Sequence, residues 1–140
     1  MSHLGFSAIL MDHFDHPRNV GELPDADGVG TAGHDGHDQT TFWIRVRDEA
    51  IAEITFKCHG CPSAIASASM TTQLALGKHV DDAAEIAQDT IVTALDGMPP
   101  EKQHAAGLAA EALNNAIMNY VTRSIDAELA KKNICTDGRG

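Results

Sequence analysis

Aromatic side chains are scarce in this chain: four Phe, one Trp and one Tyr make up 4% of its 140 residues. A core without many rings is filled by aliphatic and small side chains, and the abundance of alanine favours helices packed closely together. Cations are also few, ten Lys and Arg against twenty Asp and Glu, for a formal net charge of −10. With no basic stripe to neutralise phosphates, nucleic acid is not an expected partner. The acidic surface suits a cytoplasmic protein that docks to basic partners by electrostatic steering. No stretch approaches the roughly 20 apolar residues that span a bilayer, so no membrane association is expected. Met1-Ser2-His3-Leu4-Gly5 lacks a basic segment followed by an apolar one, so no signal peptide is expected. Cysteines number three, Cys58, Cys61 and Cys135. An odd count without a secretion signal argues against a disulfide framework and leaves thiols free for metal or sulfur chemistry.

Hydrophobic residues make up 43% of the chain, enough for one folded domain, here expected over residues 1–132, with 133–140 a flexible tail. Phe6, Ile9, Leu10 and Phe14 share one face at helical spacing, and Pro17 stops that helix. Val20 to Asp38 is rich in Gly and Asp and reads as a loop with one short strand near Val29 to Ala32. Thr40 to Val46 alternates and is β-branched, Arg47 to Ala50 turns, and Ile51 to Lys57 returns, which predicts an antiparallel hairpin. Pro62 then opens a helix through Leu76, with Gly77 as its C-terminal cap. Val80 to Ala87 and Asp89 to Leu95 read as short helices capped by Asp81 and Asp89. After Met98-Pro99-Pro100, a long helix is expected from about Ala105 to Lys131. Its apolar stripe is Leu113, Ile117, Tyr120, Val121, Ile125 and Leu129.

Three places carry donors for chemistry. Cys61 falls at a strand-to-helix junction, where unpaired N–H groups and the helix dipole favour an anionic ligand. Cys58 completes a C-x-x-C pair with it. That pair is shared by redox sites and zinc knuckles, and its position leaves open whether Cys58 faces the same way. The loop Gly33-His34-Asp35-Gly36-His37-Asp38 offers imidazole and carboxylate. His104 starts the long helix. Brought together, these would suit iron, zinc or an iron–sulfur cluster.

The residues also resemble a known family, the IscU/NifU N-terminal iron–sulfur scaffolds. Met11-Asp12-His13-Phe14-Asp15-His16-Pro17-Arg18-Asn19-Val20-Gly21 is similar to its first signature. Phe56 to Ser69, with Gly60-Cys61-Pro62-Ser63-Ala64-Ile65-Ala66-Ser67, is similar to its second. Met98-Pro99-Pro100-Glu101-Lys102-Gln103-His104 is similar to its third. The resemblance covers roughly residues 6 to 125. It implies an α+β fold of the SufE/NifU type, a small antiparallel sheet of about three strands with helices packed on it. It also implies a non-enzymatic scaffold or carrier that receives sulfur from a cysteine desulfurase, assembles a [2Fe–2S] cluster and passes it to client apo-proteins. An Hsp70-type chaperone would dock at residues 98–102, and the protein would be a monomer or weak homodimer.

Carried over residue by residue, the resemblance implies that iron or the cluster is held by Asp38, Cys61 and His104; Cys58 is expected beside them as a substitute donor. The family's other two cysteines are absent: Gly36 stands at the first and Ala105 follows His104 at the third, where sulfur is expected to be received. Thiolates are the usual cluster ligands, so their loss should weaken cluster binding. Cys58, His34, His37 and the distant Cys135 are the candidate substitutes, and Cys61 could carry a persulfide in place of the missing acceptor. Two other readings stand beside the scaffold: a zinc- or iron-binding module without a cluster, with Zn2+ held by the same donors, and a pseudo-scaffold that binds desulfurase or chaperone without metal.

Overall fold

In a computed structural model that describes residues 6–33 and 37–136, with side chains described to residue 130, three antiparallel strands lie in the order β1 (Gly28–Gly33), β2 (Gln39–Arg47) and β3 (Ala50–His59). The expected hairpin is there, with Phe42 opposite Phe56 and Ile44 opposite Ile54. Thr40, Phe42 and Ile44 are buried in alternation, because successive strand side chains point to opposite faces.

The helices are α1 (Ala8–Asp15), α2 (Pro62–Ala75), α3 (Val80–Ala83), α4 (Gln88–Ala94) and α5 (His104–Thr136), with a 3-10 turn at Pro100–Lys102. The fold is therefore α+β with a three-stranded sheet, as expected. Helix α2 is central and packs against α1, α4, α5 and β3. Ser63, Ala64, Ala66, Ser67, Ala68 and Ser69 are all buried on it, and their small size lets neighbours approach from several sides at once. Pro62 occupies its first turn and Gly77, at φ 85°, follows its last residues, a left-handed position that favours glycine.

Four local expectations are corrected. On α1, Ile9 is 42% exposed and His13 is buried. His13 is turned inward because α2 supplies a partner, Ser69 Oγ, 2.8 Å from its Nδ1, and a hydrogen-bonded polar group is tolerated inside. Asp81 and Asp89 are not caps; His79 and Ala87 occupy those positions. His79 Nδ1 accepts from the Asp81 N–H at 3.1 Å, and Thr90 Oγ1 accepts from the Ala87 N–H at 3.2 Å. The first of these short helices also stops at Ala83, well before Ala87.

The fourth correction concerns α5. Leu113 and Ile117 are buried, but Ile125 and Leu129 are about half exposed, at 53% and 50%. The helix simply outruns the sheet. Its 33 residues extend about 50 Å at 1.5 Å per residue. The nine-residue β2 extends about 30 Å. The helix also continues to Thr136, beyond the expected end at Lys131 and into the expected tail; residues 137–140 lie outside the described residues.

Where α5 does meet the sheet, contact is backbone to backbone. A Cβ on Gly30 would lie 2.1 Å from the Ala116 nitrogen, and one on Gly28 would lie 2.3 Å from the Ala116 oxygen. Asn115 Nδ2 donates to the Thr31 oxygen at 2.9 Å, and the Val29 N–H donates to Asn119 Oδ1 at 3.0 Å. This close seating fixes α5, and with it His104 at its first turn, relative to the loop that follows β1.

Candidate functional site

Asp38, Cys61 and His104 come from three separate elements: the residue before β2, the N-cap of α2 and the first residue of α5. They meet around one carboxylate. Asp38 Oδ1 accepts the Cys61 N–H at 3.1 Å, and Asp38 Oδ2 lies 3.5 Å from Cys61 Sγ. His104 Nε2 stands 3.6 Å from the same Oδ2. The Asp38 side chain is 18% exposed and that of His104 63% exposed, so the carboxylate is the floor and the imidazole the rim.

Local sequence explains the arrangement. The N-terminal N–H groups of a helix lack internal partners, and Cys61 makes no capping bond with its own side chain. Asp38 supplies the acceptor from outside instead, which leaves the thiol unused as a cap. Gly60 makes room for it: a Cβ there would sit 2.5 Å from Asp38 Oδ1 and 3.1 Å from the Ala64 Cβ.

Cys58 sits one register step in from the end of β3, opposite Thr40, whose hydroxyl donates to Sγ at 3.4 Å. Burial pushes its thiol pKa up. The neighbouring Asp38 carboxylate and Cys61 push the same way, and the Thr40 bond opposes them. Cys58 also lines a groove of about 380 Å³ together with Pro17, Val20, Phe56 and Ile65. One wall of that groove is held by paired backbone bonds, Gly21 N–H to the Phe56 oxygen at 2.8 Å and Phe56 N–H to the Asn19 oxygen at 3.0 Å. Asn19 takes a left-handed φ of 61° to make that turn.

His37 is exposed. His34 and Gly36 lie outside the described residues, as does the side chain of Cys135. Ala105 is 1% exposed, so the position beside His104 offers a buried methyl group where the family resemblance implies a thiol. Among the described residues, no three His, Cys, Asp or Glu side chains are closed up around a single point as in a preformed metal site. What exists is a carboxylate hydrogen-bonded to a thiol with an imidazole alongside. A cation that replaced the thiol proton would find oxygen, sulfur and nitrogen donors together, a mixed set that suits iron or zinc.

A family model for the NifU-like N terminal domain matches residues 6–127. The chain belongs to this family. It is 44% identical over 120 residues to the iron-sulfur cluster assembly scaffold protein IscU 1 of Archaeoglobus fulgidus, covering 85% of this chain and 78% of that one. It is 40% identical over 126 residues to the scaffold protein IscU of Aquifex aeolicus, covering 88% and 80%. The fold is similar to the crystal structure of a nitrogen-fixing NifU-like protein (N-terminal) from Brucella abortus. That match has a TM-score of 0.66 at 17% identity, over 83% of this chain and 94% of that one. The NifU-like fold thus brings together Asp38, Cys61 and His104.

Two contributors were not foreseen from the sequence. Thr40 follows from the hairpin register once Phe42 is set against Phe56. Gly60 carries a weaker signal, a glycine just before a helix start, which reads equally as a simple turn.

Proposed function

We propose that this protein is an iron–sulfur cluster assembly scaffold that receives iron and the growing [2Fe–2S] cluster as cargo at Asp38, Cys61 and His104, with Cys58 alongside. The observation that carries this reading is the convergence on one carboxylate of three donors from three distant parts of the chain. Membership of the family and two relatives named as scaffolds support it. The alternatives, a zinc or iron module without a cluster and a metal-free pseudo-scaffold, find no support in those names. Scaffolding needs no bond-making catalyst of its own, so no catalytic residue is assigned.

With two family thiolates replaced, this chain's donor set is harder and less anionic, so iron bound here exchanges more readily than at a three-thiolate site. That suits transient cargo. A cysteine desulfurase and client apo-proteins are the partners such a role requires. The exposed turn of Pro100 and Glu101 is where an Hsp70-type chaperone would dock. No helix among the described residues is long and apolar enough to cross a membrane, which suits work in the cytoplasm. The scaffold unit acts as a monomer or weak homodimer.

The test is anaerobic reconstitution with ferrous iron and sulfide, followed by assay of both. The parent protein should bind iron with acid-labile sulfide, and Asp38→Ala, Cys61→Ala and His104→Ala should each lose most of it. Iron or zinc bound without sulfide would overturn the cluster assignment.

A further inference from the structure

The site has no thiol beside His104, since Ala105 is a buried methyl group, but a second thiol, Cys58, stands three residues before Cys61. Cys58 and Cys61 flank Gly60 at the junction of β3 and α2. Both are free and partly buried, and the Asp38 carboxylate touches Cys61. Cys58 is fixed from behind by the Thr40 hydroxyl. The two thiols are unlike each other. Cys61 stands at the N-cap of α2, its side chain making no capping bond. Cys58 is tucked into a strand and faces a groove walled by Pro17, Val20 and Ile65. A free thiol at a helix start with a second free thiol three residues before it is an arrangement that suits thiol–disulfide exchange.

We infer that Cys61 and Cys58 form a dithiol that converts a delivered sulfane sulfur into sulfide at the scaffold site, Cys61 carrying the persulfide and Cys58 resolving it. In the first step Cys61 attacks the terminal sulfur of a donor cysteine persulfide: Cys61–SH and R–S–SH give Cys61–S–SH and R–SH. In the second step the Cys58 sulfur attacks Cys61 Sγ. The bond from Cys61 Sγ to the sulfane sulfur breaks, a Cys58–Cys61 disulfide forms, and the sulfane sulfur leaves with its electron pair. It takes the Cys58 thiol proton and departs as hydrogen sulfide. The two cysteine sulfurs are oxidised and the sulfane sulfur is reduced, so this step needs no outside electron donor. Turnover then needs a dithiol reductant to reopen the disulfide, and the groove that exposes Cys58 gives it access.

This inference rests on the scaffold reading but fails separately from it. The fully reduced protein is mixed anaerobically with one equivalent of glutathione persulfide, without iron. Free sulfide is assayed, and the peptides are mapped by mass after trapping of free thiols. The parent and Cys135→Ser should release stoichiometric sulfide and yield a linked Cys58–Cys61 peptide. Cys58→Ser should hold the sulfur as a persulfide on Cys61 for longer and release sulfide more slowly than the parent, by way of the glutathione freed in the first step alone. Sulfide release by Cys58→Ser at the parent's rate, or a parent without the linked peptide, would overturn the inference; the latter readout needs no variant to fold. Reconstitution with iron and free sulfide bypasses the dithiol. Success there with failure here removes this inference alone, and the reverse removes the scaffold reading alone.

Discussion

Asp38 holds Cys61 at two points, accepting its backbone N–H at 3.1 Å on one carboxylate oxygen and facing its Sγ at 3.5 Å with the other. The first contact is structural, because it satisfies an otherwise unpaired N–H at the start of α2. The second is chemical, because it puts a negative charge next to the thiol. Substitution should separate the two. Asp38→Ala should cost about 1 kcal/mol of stability, the usual value of an N-terminal acceptor, measured by urea denaturation. Asp38→Asn keeps an acceptor oxygen and should retain most of that stability, while iron binding by equilibrium titration falls in both variants.

Gly60→Ala should harm the site more than the fold. Its new Cβ would meet Asp38 Oδ1 at 2.5 Å and the Asp38 Cγ at 2.9 Å. The carboxylate is a side-chain end that can swing aside, so stability should fall by only about 1 kcal/mol. In swinging aside it leaves Cys61. Iron affinity should drop as far as in Asp38→Ala, and an unchanged affinity would show that the carboxylate's position does not matter.

The buried pair His13 and Ser69 sets a pH dependence. His13 is 3% exposed, and burial lowers its pKa below the ordinary 6.5, with the Arg18 charge acting in the same direction. The fold therefore prefers neutral His13. Its contribution is fully present above the unfolded value of about 6.5 and is lost as pH falls from there through the lower folded value, because the unfolded chain binds the extra proton. Urea midpoints measured between pH 7.5 and 5 should decline, and His13→Gln should flatten that decline. Its midpoint at pH 7.5 should lie below the parent's, by about 1 kcal/mol in stability, with the Ser69 hydroxyl still accepting the Arg18 N–H at 2.9 Å.

Gly30→Ala should be the most destabilising of these changes. The new methyl would meet backbone rather than side chain, at 2.1 Å from the Ala116 nitrogen and 2.6 Å from the Ala112 oxygen. Relief requires α5 to move, at a cost of about 3 kcal/mol, visible as a lowered melting temperature. A neutral result would mean that α5 is not seated on β1 as described.

The site was legible in the sequence wherever a change of local period marked it. Cys61 falls where alternation gives way to a Pro-led helix, His104 follows a Pro-Pro break, and Asp38 precedes the first alternating strand. Local sequence carried each to the end of an element, and the fold brings those ends together. The expectations that failed depend on what lies across from a residue. His13 and Ile9 exchange places because α2 presents Ser69. Ile125 and Leu129 keep helical spacing, but β1 has ended before it reaches them. Gly28 and Gly30 read as glycines of a loop and its short strand, with nothing to show why no side chain fits there until α5 is laid over them. Periodicity reports which residues share a face, not whether anything covers that face.

The seating of α5 on Gly28 and Gly30 has a mechanical consequence. Ala116 is the fulcrum of a rigid rod, and His104 is carried on one arm about three turns away. The opposite arm projects past the sheet, from residue 122 to residue 130. The His104 arm is itself packed, with Ala105, Ala106, Ala109 and Ala112 all buried, so the one seating sets the reach of the imidazole toward Asp38 and leaves only the far arm open to solvent.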